Sequence, residues 1–212
     1  MDGARPVVLL LAAARGRSSV GPRPAGGPAP LAGARLRDRV RPPVRALFVG
    51  INPGLRSAAI GHHFAGYSNR FWRLLYDAGL VPEPITTADD GRLPEWGYGI
   101  TNLVPRATAG IGELSAEEYR AGLRALRRKI RRWRPKVVVL VGVTLYRMIF
   151  GAKAAGRRVR IGLQPQRLEG AAVFVLPNPS GRNANYSYEE MRRAFRALAA
   201  YLSPEDGKRG RG

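Results

Sequence analysis

A short loop of glycine, asparagine and proline is the segment of this sequence best suited to chemistry. It spans residues 50–54 and directly follows an apolar run. Gly50 and Gly54 permit sharp turns and a close approach to a ligand. Pro53 stiffens the turn and keeps Asn52 out of the helical region. The Asn52 amide accepts and donates hydrogen bonds at once, which suits it to hold a water molecule. Asn-Pro-Gly is also ordinary turn chemistry, so this loop alone does not separate a site from a plain turn.

Two further loops carry residues that suit contact with a nucleic acid. In the first, Phe64 stands among glycine and alanine, and an aromatic ring in such a loop can stack on a base. The second, 177–183, has small polar residues whose backbone N–H groups can approach phosphates, with Arg182 at its tip. A lone aromatic is more often part of a core, and Arg182 is one arginine among many. Each loop therefore gains weight only from the others.

The charge balance favours a polyanionic partner. Lys and Arg total 36 against 15 acidic residues, a formal net charge of +21 over 212 residues. Neutralising phosphates with such side chains releases counterions, so nucleic acid is the partner that this excess favours. A genome of high GC content enriches arginine, alanine, glycine and proline, and this bias inflates charge without any function.

Other chemistries are disfavoured by composition. The chain has no cysteine, which excludes disulfides, thiolate nucleophiles and iron–sulfur or cysteine-rich zinc sites. The two histidines are His62 and His63, which argues against a structural metal site. No apolar run reaches the length needed to span a bilayer. The apolar stretch 7–14 lacks a positive flank, which argues against a signal peptide. We therefore expect a cytoplasmic protein.

Apolar periodicity between about Val44 and Tyr201 predicts strands that alternate with helices. Capping boxes begin two of the helices, and Asn69 and Gly79 are placed to begin and end another. Such alternation predicts a single α/β domain, a three-layer α/β/α sandwich around a mainly parallel sheet. The predicted strands are 46–49, 98–103, 136–141 and 171–176, and the predicted helices are 70–79, the segment between Ser115 and Pro135, 144–150 and the segment after Ser187.

The parts outside this domain differ in composition. Residues 1–43 are rich in Gly, Pro, Ala and Arg and are predicted to form a mostly disordered basic arm, and 203–212 a disordered tail. Within the domain, ligands of parallel sheets sit at the carboxyl ends of strands. The loops 50–54 and 177–185 follow the first and last predicted strands. Both are therefore expected at the same edge of the sheet.

Four motifs, taken together in order and spacing, resemble the mismatch-specific uracil-DNA glycosylase and thymine-DNA glycosylase family of the uracil-DNA glycosylase superfamily. The resemblance covers about Val44 to Leu198. It implies a single α/β/α sandwich and an enzyme that removes uracil, and in some members thymine, mispaired with guanine in double-stranded DNA. The motifs are GINPG at 50–54, GHHFAGYSNRFW at 61–72, GITNLVPRAT at 99–108 and LPNPSGRN at 176–183.

The resemblance implies roles for individual residues of the substrate pocket. Asn52 matches the asparagine that positions the hydrolytic water, and Phe64 matches the ring that stacks on the flipped base. Ile51 and Phe64 would offer backbone contacts to the pyrimidine edge, with Gly54 beside the substrate in the same loop. The serine at position 57 resembles the bacterial uracil-type members in residue type. The histidine pair ending at His63 is instead similar to the pair in thymine-DNA glycosylases. This mixture leaves the removal of thymine open.

The last motif is implied to hold the DNA. Asn178 would contact the substrate, and Arg182 falls where the family places the wedge that enters the duplex behind the extruded base. At this position the uracil-specific bacterial members look to have leucine and thymine-DNA glycosylases arginine. In having Arg182, this chain resembles the thymine-DNA glycosylases. The residues that would grip the DNA backbone beside this wedge are Pro179, Ser180, Gly181 and Asn183.

The resemblance also implies a mechanism. The base must leave the stack, which costs about a few kcal/mol and less in a G·U or G·T mismatch. The glycosidic bond would break with oxocarbenium character while backbone N–H groups stabilise the departing anion. An amide is no general base at neutral pH, so Asn52 would act by positioning water. We expect a slow, monofunctional, monomeric enzyme that needs no metal or organic cofactor.

Three other interpretations stay open from the sequence. A non-catalytic nucleic-acid-binding protein would need neither Asn52 nor Phe64. A nucleotide-binding α/β enzyme would use 50–54 for phosphate, but the loop lacks a Walker or Gly-x-Gly-x-x-Gly pattern. A sister glycosylase family that acts on single-stranded uracil commonly has a carboxylate where Asn52 stands.

Overall fold

One mainly parallel sheet forms the centre of the structure, a computed structural model that describes residues 34–155 and 159–203, without the side chains of 152–155. Within these residues the strand order is β2-β1-β3-β5-β4. β4 runs antiparallel to β5, and the remaining neighbours are parallel. This confirms the predicted α/β class. The strands are β1 (Ala46–Gly50), β2 (Tyr98–Asn102), β3 (Val137–Val141), β4 (Gly162–Leu168) and β5 (Ala171–Leu176).

Helices cover both faces of this sheet, as the alternation predicted. The capping boxes at Ser115 and Ser187 are present, each serine Oγ accepting the N–H of the glutamate three residues later, at 3.1 and 3.2 Å. Among the described residues no helix is both long and apolar enough to cross a membrane. The α-helices are α1 (Leu55–Ile60), α2 (Phe71–Asp77), α3 (Ala116–Trp133), α4 (Val143–Ala155, interrupted at Gly151) and α5 (Tyr188–Leu202), with 3₁₀ segments at Thr87–Trp96 and Ile111–Glu113.

Two apolar clusters, one on each face, fix the helices to the sheet. Successive side chains of a strand point to opposite faces, so Phe48 of β1 packs with α2 and α5 while Leu47 packs with α3. All five residues of β1, β2 and β3 are buried, as expected for strands covered on both sides. The sheet therefore holds the carboxyl ends of these strands at fixed positions.

The strand β4 was not predicted. Its sequence GLQPQRL is polar and contains Pro165, which removes a donor from the hydrogen-bond ladder. An edge strand tolerates this, because one of its sides needs no partner. Its alternating exposure, with Leu168 buried, fits that position at the margin of the sheet.

Contacts of residues 34–43 correct the predicted boundary of the basic arm at Val44. Arg39 exchanges two backbone hydrogen bonds with Ile100 of β2, at 2.9 and 3.0 Å, and Leu36 is buried. Asp38 forms an ion pair with Lys129 of α3 at 2.8 Å. This segment therefore belongs to the domain and pairs with the outer side of β2. The rest of the predicted arm, 1–33, and the tail beyond Ser203 lie outside the described residues.

Candidate active site

A clamp of hydrogen bonds holds loop 50–54 against segment 102–108, which follows β2. The N–H groups of the second segment donate to carbonyls of the first, so the pairing of β1 with β2 continues past both strand ends. This rigid support places the candidate catalytic residue Asn52 at the carboxyl edge of the sheet. The bonds run from Leu103 to Gly50, from Val104 to Ile51 and from Thr108 to Pro53, at 2.8, 2.8 and 3.2 Å.

The side-chain amide of Asn52 is held in one orientation by the same clamp. Its Nδ2 donates to Thr108 Oγ1 at 2.7 Å and lies 3.2 Å from the carbonyl oxygens of Arg106 and Pro53. Thr108 Oγ1 in turn donates to the carbonyl of Gly110 at 2.8 Å, which leaves it an acceptor for Asn52. Within the described residues Oδ1 of Asn52 has no partner. The amide thus offers an acceptor to a ligand such as water.

Backbone N–H groups near this amide are also unpaired. Those of Ile51 and Asn52 have no acceptor among the described residues, although three carbonyls of the loop are bonded to segment 102–108. Both polar backbone groups of Phe64 are likewise without partners there. A surface that presents unpaired N–H donors stabilises negative charge on a ligand. The predicted backbone contacts of Ile51 and Phe64 are therefore chemically available.

The ring of Phe64 lies against the end of β1. It stacks on Phe71 of α2, with ring centroids 4.2 Å apart and planes inclined by 29°. A Cβ added to Gly50 would lie 3.5 Å from the Phe64 ring and 2.6 Å from Oδ1 of Asn102. Glycine at position 50 therefore lets the aromatic ring and the Asn102 amide meet over the strand end. Since Phe71 is fully buried, one face of Phe64 is supported by the core.

A buried carboxylate holds the loop that carries this ring. Asp90, with a relative exposure of 1%, accepts hydrogen bonds from His62 Nδ1 and the backbone N–H of His63, both at 3.0 Å. It also forms an ion pair with Arg39 at 3.1 Å, and Arg39 donates to the carbonyl of Gly61. These bonds fix the main chain on the amino-terminal side of Phe64, whose φ of +49° is unusual for a residue other than glycine.

The side chains of Ser57 and His63, which the family resemblance places at the substrate, are buried and bonded within the protein. Ser57 is buried, and its Oγ accepts the backbone N–H of Ala65 at 3.0 Å. His63 is buried as well, with Nε2 donating to the carbonyl of Arg37 at 2.9 Å and Nδ1 accepting from Asn102 Nδ2 at 3.4 Å. Both side chains therefore lie beneath the loop and stabilise it. Burial lowers the pKa of His63, outweighing its carbonyl bond and the nearby carboxylates, which raise it.

The second predicted loop, 177–183, is shaped by its own side chains. Asn178 Oδ1 accepts the N–H of Ser180 at 3.0 Å, and the carbonyl of Asn178 accepts Asn183 Nδ2 at 2.8 Å. Ser180 Oγ accepts the N–H of Arg182 at 3.3 Å. Such turns give the loop a defined shape without a helix or strand. The side chain of Arg182 is exposed and forms no ion pair within the described residues.

Segment 66–70 joins the two predicted loops. The N–H of Arg70 donates to the carbonyl of Pro179 at 3.0 Å. Gly181 packs so closely on Ser68 that an added Cβ would lie 2.3 Å from the serine Cβ. The structure therefore brings Phe64 next to Gly50 on one side and connects its loop to 177–183 on the other. It shows no direct contact between Asn52 and Arg182 among the described residues.

Three residues of this site had no role in the sequence reasoning. Asn102 and Thr108 lie within the motif GITNLVPRAT, so their position in a matched motif was the signal that pointed to them. Asp90 stands in a polar segment with no motif or periodicity, and its burial is visible only in the folded structure. A polar side chain that the fold buries gives no pattern along the chain.

The comparison with known families agrees with this geometry. The model of the uracil DNA glycosylase superfamily matches residues 38–202, which include both loops, the aromatic ring and segment 102–108. The chain belongs to the uracil DNA glycosylase superfamily. Membership makes it a DNA N-glycosylase, a hydrolase whose substrate is DNA. The match begins at residue 38, which agrees with the packing of 34–43 on the domain.

The buried His63 predicts that acid destabilises the fold. An unfolded histidine titrates near about pH 6.5, whereas burial lowers the pKa in the folded state. Below about pH 6.5 the unfolded chain binds more protons, so this contribution to stability is lost as the pH falls through the folded-state value. Urea denaturation from about pH 8 to about pH 5 should show a steeper decline for the wild type than for His63→Gln, whose amide keeps a donor for the Arg37 carbonyl. Parallel declines would refute this.

Proposed function

We propose that this protein hydrolyses the N-glycosidic bond of uracil mispaired with guanine in double-stranded DNA, leaving an abasic site for base excision repair. Thymine opposite guanine is a second candidate substrate. The observation that carries the proposal is the fixed Asn52 amide, whose Nδ2 is consumed by the clamp while Oδ1 is left to accept. The amide has this orientation beside unpaired N–H donors in the same loop.

Departure of the base is supported by groups around the end of β1. The ring of Phe64, braced from behind by Phe71, offers a flat surface for a base rotated out of the duplex. The unpaired N–H groups of Ile51 and Phe64 would donate to the pyrimidine oxygen on which negative charge grows as the bond breaks. No proton transfer from a side chain is needed for this step.

Attack of water would follow from position alone. A water bonded to Oδ1 of Asn52 has its lone pairs free to meet the cationic sugar carbon. Because an amide cannot remove a proton at neutral pH, the gain comes from holding the water in place. The proton passes to solvent only after the bond from water to C1′ forms, when the added water has become strongly acidic.

The side chain of Asn102 supports selection of a pyrimidine that carries a hydrogen on N3. One Nδ2 hydrogen points to His63 Nδ1, which must accept because Nε2 donates to Arg37. Oδ1 of Asn102, which lies over Gly50, is thereby left as an acceptor. Uracil and thymine carry a hydrogen on N3, and cytosine does not. This contact would reject cytosine without separating uracil from thymine.

The preference for duplex is supported by loop 177–183. Its exposed Arg182 has no ion-pair partner among the described residues and stands on a loop with a defined shape. A guanidinium inserted behind the extruded base would fill the gap and donate to the guanine left unpaired, whose O6 and N7 accept hydrogen bonds. Loss of this insertion would weaken activity on paired DNA more than on a single strand.

The proposal predicts base release without metal. Purified protein in EDTA should release uracil from a G·U duplex, with slower or no release from A·U and single-stranded DNA. Release from G·T decides the second substrate. Free base, measured by chromatography, should be absent with Asn52→Ala, which is expected to bind the duplex normally. If no substrate yields free uracil, the proposed activity is refuted. Equal rates on all uracil substrates would indicate the specificity of a sister glycosylase family, which does not require a mismatch.

Thr108 predicts a separate test of the clamp. Thr108→Val removes the Oγ1 that accepts from Asn52 Nδ2 while keeping the shape of the side chain. A small displacement of a positioned group costs up to about a hundredfold in rate. Single-turnover cleavage should therefore slow by about ten- to a hundredfold, with little change in DNA affinity. Thr108→Ser, which retains the hydroxyl, should restore most of the rate. Equal rates for Thr108→Val and wild type would remove Thr108 from the mechanism.

A further inference from the structure

Tyr67 stands out from the rest of the described surface. Its relative exposure is 89%, whereas that of the next most exposed large apolar residue in this part of the chain, Leu163, is 49%. Its hydroxyl makes no hydrogen bond to the described residues. Neither the core nor a hydrogen bond explains a large ring in this position.

An arginine fixes the ring in place. The guanidinium of Arg56 lies over the Tyr67 ring at 3.7 Å from its centroid, a cation–π contact. Arg56 Nε also donates to the carbonyl of Ala65 at 2.7 Å, which ties the pair to the loop of Phe64. Within the described residues Arg56 forms no ion pair, so its charge is uncompensated. The pair is thus a flat apolar surface backed by a positive charge.

The position of the pair relates it to the DNA-facing loops. Ser68, the next residue, packs on Gly181, which precedes the wedge candidate Arg182. Tyr67 is also three residues after Phe64, and three residues of chain span at most about 10 Å. A DNA strand that delivered one base to Phe64 would therefore pass within reach of Tyr67 with its neighbouring nucleotide.

We propose that Tyr67, braced by Arg56, is a second stacking platform, and that it receives the base next to the extruded nucleotide on the same DNA strand. The proposal rests on the proposed function for the identity of the duplex. Its chemistry is general, because aromatic rings stack on any base and an adjacent arginine neutralises a phosphate. Extrusion of one nucleotide unstacks its neighbour, which Tyr67 then covers.

The test is a double-mutant cycle that combines a change of Tyr67 with removal of the neighbouring base. Affinity is measured for a duplex with a tetrahydrofuran abasic site opposite guanine, with the adjacent nucleotide on the same strand either intact or also lacking its base. Tyr67→Ala should bind the first duplex about tenfold more weakly. On the second duplex the variant and the wild type should bind alike, because the partner of the ring is absent. Each flanking side is tested in turn.

Matched variants separate stacking from other causes. Tyr67→Phe should bind like the wild type, since the ring is kept, and Tyr76→Ala, which removes an exposed tyrosine of α2, should have no effect. Arg56→Ala should lower the slope of log affinity against log salt by about one. Because Tyr67 is exposed, Tyr67→Ala should unfold at the wild-type temperature.

Two outcomes would overturn the platform. One is a Tyr67→Ala variant that binds as tightly as the wild type. The other is a loss of affinity that persists on both test duplexes, whichever of the two neighbouring bases is removed, since this would assign Tyr67 to sugar or phosphate. Both readouts are binding to a product analogue. A wild type that binds this DNA but releases no uracil would refute the proposed function. The stacking role of Tyr67 would still be decided by the binding measurements of the cycle.

Discussion

Hydrogen bonding between loop 50–54 and segment 102–108 is the constraint on which the rest of the site depends. It uses the carbonyls of the loop as acceptors and leaves the neighbouring N–H groups unpaired. These N–H groups can donate hydrogen bonds to a negatively charged ligand. In the same contact both Nδ2 hydrogens of the Asn52 side chain are bonded, to Thr108 Oγ1 and to nearby backbone carbonyls. Oδ1 is then the atom left to accept a hydrogen bond. In the proposed mechanism a side chain with no acid–base chemistry acts by position, because the fold has fixed which of its atoms is free.

A second set of contacts brings the remaining parts of the site to this loop. The segment around Phe64 is bonded on one side to buried polar groups, with Asp90 and Ser57 holding its backbone. On the other side it packs on loop 177–183 through Ser68 and Arg70. Two strand ends that are separated by β3 are thereby coupled through a single segment. These contacts are made within the protein itself, so binding energy need not be spent on ordering this segment.

The sequence predicted the parts of the fold that repeat along the chain. Buried strands, the capping boxes at Ser115 and Ser187 and the parallel arrangement all follow from local patterns, and the structure confirms them. It did not predict β4, because a polar run with Pro165 shows no strand pattern, nor that 34–43 packs on β2. In the site, Asn52 and Phe64 lie in loops, where the motifs placed them. The burial of His63 and the role of Asp90 depend on contacts between distant segments, which no spacing along the chain reveals.

Side-chain amide exchange measured by NMR tests the orientation of the Asn52 amide most directly. Both Nδ2 protons are engaged by acceptors of the clamp, whereas the exposed side chain of Asn185 donates to no described residue. We expect the Asn52 side-chain protons to exchange with solvent markedly more slowly than those of Asn185 in the free protein, because exchange requires the hydrogen bonds to open. Equal exchange rates for the two side chains would contradict a fixed Asn52 amide, since Asn52 would then be free to turn either atom toward the substrate.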